Sequence, residues 1–279
     1  VTGGELVDFL VAPLGQGFVR RALAAGLALG AAGAVLGVFV VQRGLGLIAD
    51  GLAHATFGGL ALGLLLGATP DRAIWVALPF TLLVALGIQQ LRRRTTLGGD
   101  VATGIFFSVS FAAGVLFLGL RGPTARPVNV EALLFGSLLA VSPEALWAVL
   151  ALSLAVLALL LRVGPELAYA TFDPELARLS GVRVHGLESL LVATTALFVV
   201  VGAKTVGVVL VAAFVVIPAA AAQLAGRALG ATLLLSVGAS LFATALGLFA
   251  SYHLNVATGA TIILTLGVLF FLAFAVSRR

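Results

Sequence analysis

The sequence predicts an all-α, polytopic membrane protein with eight to nine transmembrane helices, and three observations carry that expectation. Of its 279 residues 61% are apolar and 10% charged, against roughly 45–50% and about 25% in soluble domains, which excludes a soluble fold. Mean hydropathy is +1.21. Nine apolar runs hold 173 of the 279 residues, each near the roughly 20 residues that cross a hydrocarbon core about 30 Å thick. What remains between the runs is too short for an extramembrane domain of about 50 residues, so residues 1–279 read as a single transmembrane domain.

The first run, 22–41, sets Gly26 with Gly30 and Gly33 with Gly37 at spacings of four, which aligns small residues on a face where backbones approach closely in lipid. Ahead of it, residues 5–19, with Glu5, Asp8 and Pro13, read as a surface or re-entrant helix. The second run, 45–67, repeats the spacing at Gly59, Gly63 and Gly67. Bundle packing alone accounts for such faces. The third run, 73–89, leads into Arg92, Arg93 and Arg94, and the fourth and fifth cover 101–120 and 144–161. Arg162 to Gly186 reads as a loop holding one short helix, with Asp173 as N-cap, Pro174 at the first helical position, Glu175 on the positive helix end and Gly181 as the stop. About two turns neither span a membrane nor stand alone, so this helix docks on a partner or lies on the bilayer. Runs 187–203, 206–222, 229–250 and 258–276 complete the set.

Cytoplasmic loops collect Arg and Lys. Placing the loops alternately puts Arg43, Arg92, Arg93, Arg94, Arg162, Arg178, Arg183, Arg227, Arg278 and Arg279 inside, a score of 10. The opposite placement, with Arg20, Arg21, Arg72, Arg121, Arg126 and Lys204 inside, scores 6. The first is expected, with the C-terminus and the Arg162–Gly186 loop in the cytoplasm. The net charge of +5 is then a topology signal, and no nucleic acid partner is expected. Without cysteine there is no disulfide, thiolate metal site or cysteine nucleophile. Methionine is absent too; nothing physical in the sequence explains it, but it removes a soft thioether ligand.

Ionisable side chains at membrane depth are costly and generally functional. Glu188 lies one residue inside its run and reaches the interface, whereas Asp50 and His54 stand well inside theirs. At i and i+4 they share a helix face, ~7 and ~14 Å into the run. A carboxylate oxygen and an imidazole nitrogen so placed can hold one divalent cation, with water, carbonyls or a second copy of the chain completing its shell. Two ligands are too few for a tight zinc site, but a transported ion must also leave. The other reading of the pair is a hydrogen bond that fixes helix packing.

Asp50-Gly51-Leu52-Ala53-His54 resembles the D-x-L-A-H stretch of the zinc/manganese/iron family of ABC importer permeases. Leu134-Phe135-Gly136-Ser137-Leu138-Leu139, Phe172-Asp173-Pro174-Glu175-Leu176-Ala177 through Gly181, and Lys204-Thr205-Val206-Gly207 followed by Ile217-Pro218-Ala219-Ala220 resemble further stretches of that family in the same order. The likeness covers roughly residues 20–276. It implies a permease subunit in the cytoplasmic membrane, working as a homodimer with separate cytoplasmic ATPase subunits and an extracytoplasmic metal-binding protein. It implies a zinc, manganese or iron ion as transported substrate and no permanently bound cofactor. Asp50 and His54 are then the metal contacts, and Phe172, Asp173, Glu175, Ala177 and Gly181 belong to a coupling helix, 173–181. One departure is Phe57-Gly58-Gly59 after Thr56, where many members carry a Leu-Pro-Gly turn.

The chain itself is not expected to be an enzyme. It has no G-x-x-x-x-G-K-[ST] phosphate loop: its sole lysine, Lys204, follows Ala203. Energy must come from a partner chain or a gradient, which leaves a proton-coupled secondary metal carrier as the alternative. An intramembrane enzyme is disfavoured because Thr103 and Ser110 have no histidine base on their run. His253 beside Tyr252 at an outer loop reads as an interfacial anchor, with lining of the entrance or contact with the binding protein as the other readings.

Overall fold

The computed structural model describes residues 12–96, 98–122, 138–226 and 228–277. Among them nine helices are long and apolar enough to cross a membrane. They are α1 (Gly17–Gln42), α2 (Gly46–Leu65), α3 (Ile74–Arg94), α4 (Gly99–Gly119), α5 (Pro143–Phe172), α7 (Val184–Val206), α8 (Val208–Ala225), α9 (Leu229–Leu254) and α10 (Thr258–Ser277), with the short α6 (Pro174–Leu179) between α5 and α7. No strand occurs among the described residues.

Helices α1, α2, α7 and α8 form the centre and the others surround it. Small residues decide which helices touch. On α1, a Cβ added to Gly26 would come within 2.8 Å of Thr244, one on Gly30 within 2.7 Å of Ser240, and one on Gly33 within 3.1 Å of Phe198 and Phe214. A Cβ on Gly37 would collide with the carbonyl oxygen of Val215, so α1 and α8 meet backbone to backbone. Gly59 and Gly63 do the same for α2 against Ala77 and Ala73 at the start of α3. Gly67 does not belong with them: it sits at φ +85° in the turn after α2, with open space around it. Interhelical hydrogen bonds supplement the packing, from Ser236 Oγ to the Ala34 carbonyl (3.1 Å) and from Thr261 Oγ1 to the Gly247 carbonyl (2.8 Å). The Thr103 hydroxyl donates to the Gly99 carbonyl one turn back, an ordinary use of such a group in lipid.

The two ends of the bundle are joined differently. At one end Arg43 reaches Thr171 and Leu167, Arg92 pairs with Glu188, and Arg93 reaches His185 and Ser189. At the other, Arg21 donates to the Val141 carbonyl, Gln16 to the Tyr252 hydroxyl, and Lys204 pairs with Asp71. Arg20 and Arg21 therefore lie away from the arginine-rich end, as alternate loop placement requires. Arg126, Arg227, Arg278 and Arg279 lie outside the described residues.

Three expectations change. Residues 12–15 form a single 3-10 turn and 17–19 already belong to α1, so the described part of 5–19 holds no separate helix, and residues 5–11 lie outside the described residues. The expected loop from Arg162 is helical as far as Phe172. Pro165 cannot bond the Leu161 carbonyl, but both residues are exposed and water can satisfy that group at a membrane edge, while Leu167 and Ala170 beyond it are buried. Runs six and seven are separated by one residue: Gly207, at φ 93° and ψ 155°, occupies a region open essentially to glycine, which reverses the chain between α7 and α8.

The short helix α6 is capped at both ends. Asp173 Oδ1 accepts from the Leu176 amide at 2.9 Å, and Pro174 and Glu175 occupy the first turn. At its C-terminus the Val182 amide donates to the Ala177 carbonyl and the Gly181 amide to that of Arg178, a Schellman closure with Gly181 at φ +85°.

Two outcomes test this packing. Gly37→Ala should destabilise the purified protein by roughly 1–3 kcal/mol in thermal unfolding, whereas Gly104→Ala on α4, with nothing within 4 Å of its Cβ position, should be neutral. Asp173→Ala should cost about 1 kcal/mol of local helix stability, seen as faster amide exchange over residues 174–182; unchanged exchange would mean that docking alone holds α6.

Candidate functional site

Helix α2 carries Asp50 and His54 on one face, and glycine determines what lies beside them. Cβ atoms added to Gly51 and Gly58 would stand 2.5 Å from Thr103 Cγ2 and 2.6 Å from the Ser110 carbonyl oxygen, so α4 lies directly on the backbone of α2. That closeness brings Phe107 and Phe111 edge-on to the imidazole, with ring centroids 4.4 and 5.6 Å away. Phe57, fully buried, extends the aromatic wall to Phe111 at 5.2 Å. On the other side Thr56 Oγ1 donates to the Leu52 carbonyl and so accepts from Thr81 Oγ1 of α3 at 3.2 Å.

Within this frame the two side chains are close without being locked together. His54 Nδ1 is 3.7 Å from Asp50 Oδ1 and 3.0 Å from the Asp50 backbone carbonyl. A carbonyl only accepts, so this contact puts the proton on Nδ1 and leaves the Nε2 lone pair free to bind a metal. The Asp50 side chain is 49% exposed and that of His54 19%. A carboxylate left half uncovered in an apolar helix requires water, a cation or another chain beside it. Among the described residues no group of three or more His, Asp or Glu gathers elsewhere to hold a metal, and this pair offers one oxygen donor group and one nitrogen.

The residues named for coupling lie together at the arginine-rich end. Asp173 and Gly181 cap α6, and Glu175 faces solvent. Ala177 is fully buried, so it seats α6 on its own chain and presents nothing to a partner. The outward row is Phe172, Leu176 and Leu179, exposed by 68, 50 and 85%. Of the stretch 134–139, Leu134 to Ser137 lie outside the described residues. His253 packs its ring edge-on to Tyr252 at 5.3 Å.

Sequence reasoning missed the chemistry of three charged residues. Arg43 and Arg92 read only as topology signals and Glu188 only as able to reach the interface. The structure joins Arg92 Nη1 to Glu188 Oε1 at 3.3 Å, and Arg43 donates through Nε to Thr171 Oγ1 at 2.9 Å and through Nη2 to the Leu167 carbonyl at 3.2 Å. Burial pulls the Arg43 guanidinium below the ordinary arginine value, and the field of Glu188 opposes that shift. The aromatic wall was signalled only by the spacing of Phe107 and Phe111, one helical turn apart.

The chain is similar to known transport proteins over nearly its whole length. The manganese import system permease protein ScaB of Streptococcus parasanguinis is 33% identical over 262 residues, 94% of this chain and 91% of its own. The manganese transport system membrane protein MntC of Halalkalibacterium halodurans is 33% identical over 277 residues, 99% of this chain and 92% of its own. Among solved structures, PsaBC from Streptococcus pneumoniae in complex with Fab matches with a TM-score of 0.82 at 29% identity, covering 96% of this chain and 95% of that one. The ABC 3 transport family matches residues 16–277, and with that span and those identities the chain belongs to the ABC 3 transport family.

Proposed function

We propose that this chain is the permease subunit of an ATP-driven importer in the cytoplasmic membrane, with a divalent transition metal as cargo and Asp50 and His54 as its contacts. One observation carries the site: an imidazole with Nε2 unengaged beside a half-exposed carboxylate, on a membrane helix whose other faces are packed shut. Relatives named for manganese support that ion as cargo. An oxygen and an imidazole nitrogen suit manganese, zinc and iron alike. A second copy of the chain, set against the same face, would bring a second Asp50 and His54 and raise the donors to four side chains, enough to replace much of the hydration shell while still letting the ion go.

The ATP-hydrolysing subunit is a separate chain in this reading, docked at the arginine-rich end. The row Phe172, Leu176 and Leu179 supports that placement. It is apolar, exposed and rigidly capped, as a helix received by a groove should be. An extracytoplasmic metal-binding protein would deliver cargo at the opposite end, where the Lys204–Asp71 pair and Tyr252 lie.

Asp50→Ala and His54→Ala should each lower manganese uptake by at least the roughly 10–100-fold that loss of even an outer-shell partner costs a metal site. Membrane insertion and ATPase association should be unaffected; normal uptake in either variant would remove that residue from the site. Leu179→Asp should release the ATPase from the purified complex. Uptake should require ATP hydrolysis in proteoliposomes, and uptake that follows a proton gradient without ATP would restore the secondary-carrier reading.

A further inference from the structure

We propose that Arg43 is the latch through which movement of α6 reaches the cargo-bearing helix α2, an inference that rests on α6 being the ATPase-docking helix. Arg43 ends α1, and only Gly44 and Leu45 separate it from α2. That corner is closed by hydrogen bonds from the Gly44 amide to Val41 and from the Leu45 amide to Val40, both 3.0 Å, and by a left-handed Gly44 at φ +67°. It has no slack. A displacement of Arg43 is therefore handed to the first turn of α2, and Asp50 stands seven residues on.

The other side of the latch belongs to α6. Thr171 and Leu167 lie in the last turns of α5, and Asp173, two residues past Thr171, is the N-cap of α6. The far end of α6 is fastened to the same turns, because the Tyr169 and Ser180 hydroxyls meet at 3.0 Å and Ala177 is buried. The last turns of α5 and the whole of α6 thus move as one piece. Arg43 grips that piece at two acceptors: Thr171 gives its own hydroxyl proton to the Leu167 carbonyl at 2.6 Å, which leaves its oxygen lone pairs for Arg43 Nε. Glu188, in the first turns of α7, holds Arg92 directly and attracts Arg43 through its field. A half-buried guanidinium has paid for desolvation, and its forked donors are satisfied in one geometry only, so a shift of α5 must carry the corner along or break the fork.

The test uses the full complex with its ATPase subunits in proteoliposomes, reading equilibrium Mn2+ binding, ATPase co-purification and Mn2+ moved per ATP hydrolysed. Arg43→Gln and Thr171→Val should retain Mn2+ binding within about twofold and keep their ATPase. Mn2+ moved per ATP should fall about tenfold in Arg43→Gln, the change expected for losing a hydrogen bond from a charged donor, and by less in Thr171→Val. Arg43→Lys, which keeps the charge but not the fork, should fall between wild type and Arg43→Gln. A normal ratio in both Arg43→Gln and Thr171→Val overturns the latch. Should Arg43→Gln fail to assemble, Thr171→Val decides alone, because it keeps shape and charge and removes only the hydroxyl that accepts from Arg43 and donates within its own helix to Leu167. Leu179→Asp separates the two levels of the argument. If that variant keeps its ATPase and full transport, the docking reading and the latch fall together; if it loses its ATPase while both latch variants transport at a normal ratio, only the latch falls.

Discussion

How closely α3 and α4 can approach the backbone of α2 determines everything around Asp50 and His54. Gly51, Gly58, Gly59 and Gly63 leave no side chain between α2 and its neighbours, and a methyl at any of them would meet a backbone or side-chain atom at 3.0 Å or less. In lipid this closeness is the main attraction available, since apolar side chains gain little by leaving one hydrocarbon for another. Two faces of α2 are sealed as a result, and the Asp50–His54 face is what remains. The aromatic wall follows from the same approach: Phe107 and Phe111 reach the imidazole because α4 lies against glycine.

The polar groups are distributed on a consistent principle. Hydroxyls such as those of Thr56, Thr81, Ser236 and Thr261 are taken up by backbone carbonyls or by one another, whereas Ser153 and Ser240 are buried without a hydrogen-bond partner; none of these groups carries a charge. Charges are collected at the ends, where water relieves their burial. The exception is Asp50, and it is the group for which the helix offers no protein cation: its contact is a neutral-capable imidazole whose Nδ1 is already turned to a carbonyl. In the proposed reading, in which the pair takes up and releases an ion, that incompleteness serves better than a fixed counter-charge.

The arginine-rich end reads as machinery of a different kind. Its residues bind helix ends to one another: α1 to α5 through Arg43, α3 to α7 through Arg92 and Arg93, and α6 to α5 through Tyr169 and Ser180. The exposed Phe172, Leu176 and Leu179 stand just outside this network, so a force applied there enters a connected set of helix termini. Among the described residues the opposite end is tied by Lys204 to Asp71, Gln16 to Tyr252 and Arg21 to the Val141 carbonyl.

Much of this was legible in the sequence, because lipid imposes a simple rule: a spanning segment must be apolar, helical and about the thickness of the membrane. The spans, the caps of α6 at Asp173 and Gly181, and the shared face of Asp50 and His54 are all local consequences of spacing and residue type. What the local pattern could not show was which contacts cross between helices. An arginine near a helix end looks the same whether it faces water or, like Arg43, reaches a threonine 128 residues away. Alanine at 177 is silent about whether it points out or in, and glycine at 67 has the spacing of a packing residue while serving a turn. Sequence by itself determined the nine apolar spans and the placement of Asp50 and His54 on one helix face, because those follow from neighbours along the chain. The tertiary structure alone decided the aromatic wall, the uncovered face and the Arg43 and Glu188 contacts, because these arise where helices distant in sequence come to within a side chain of one another.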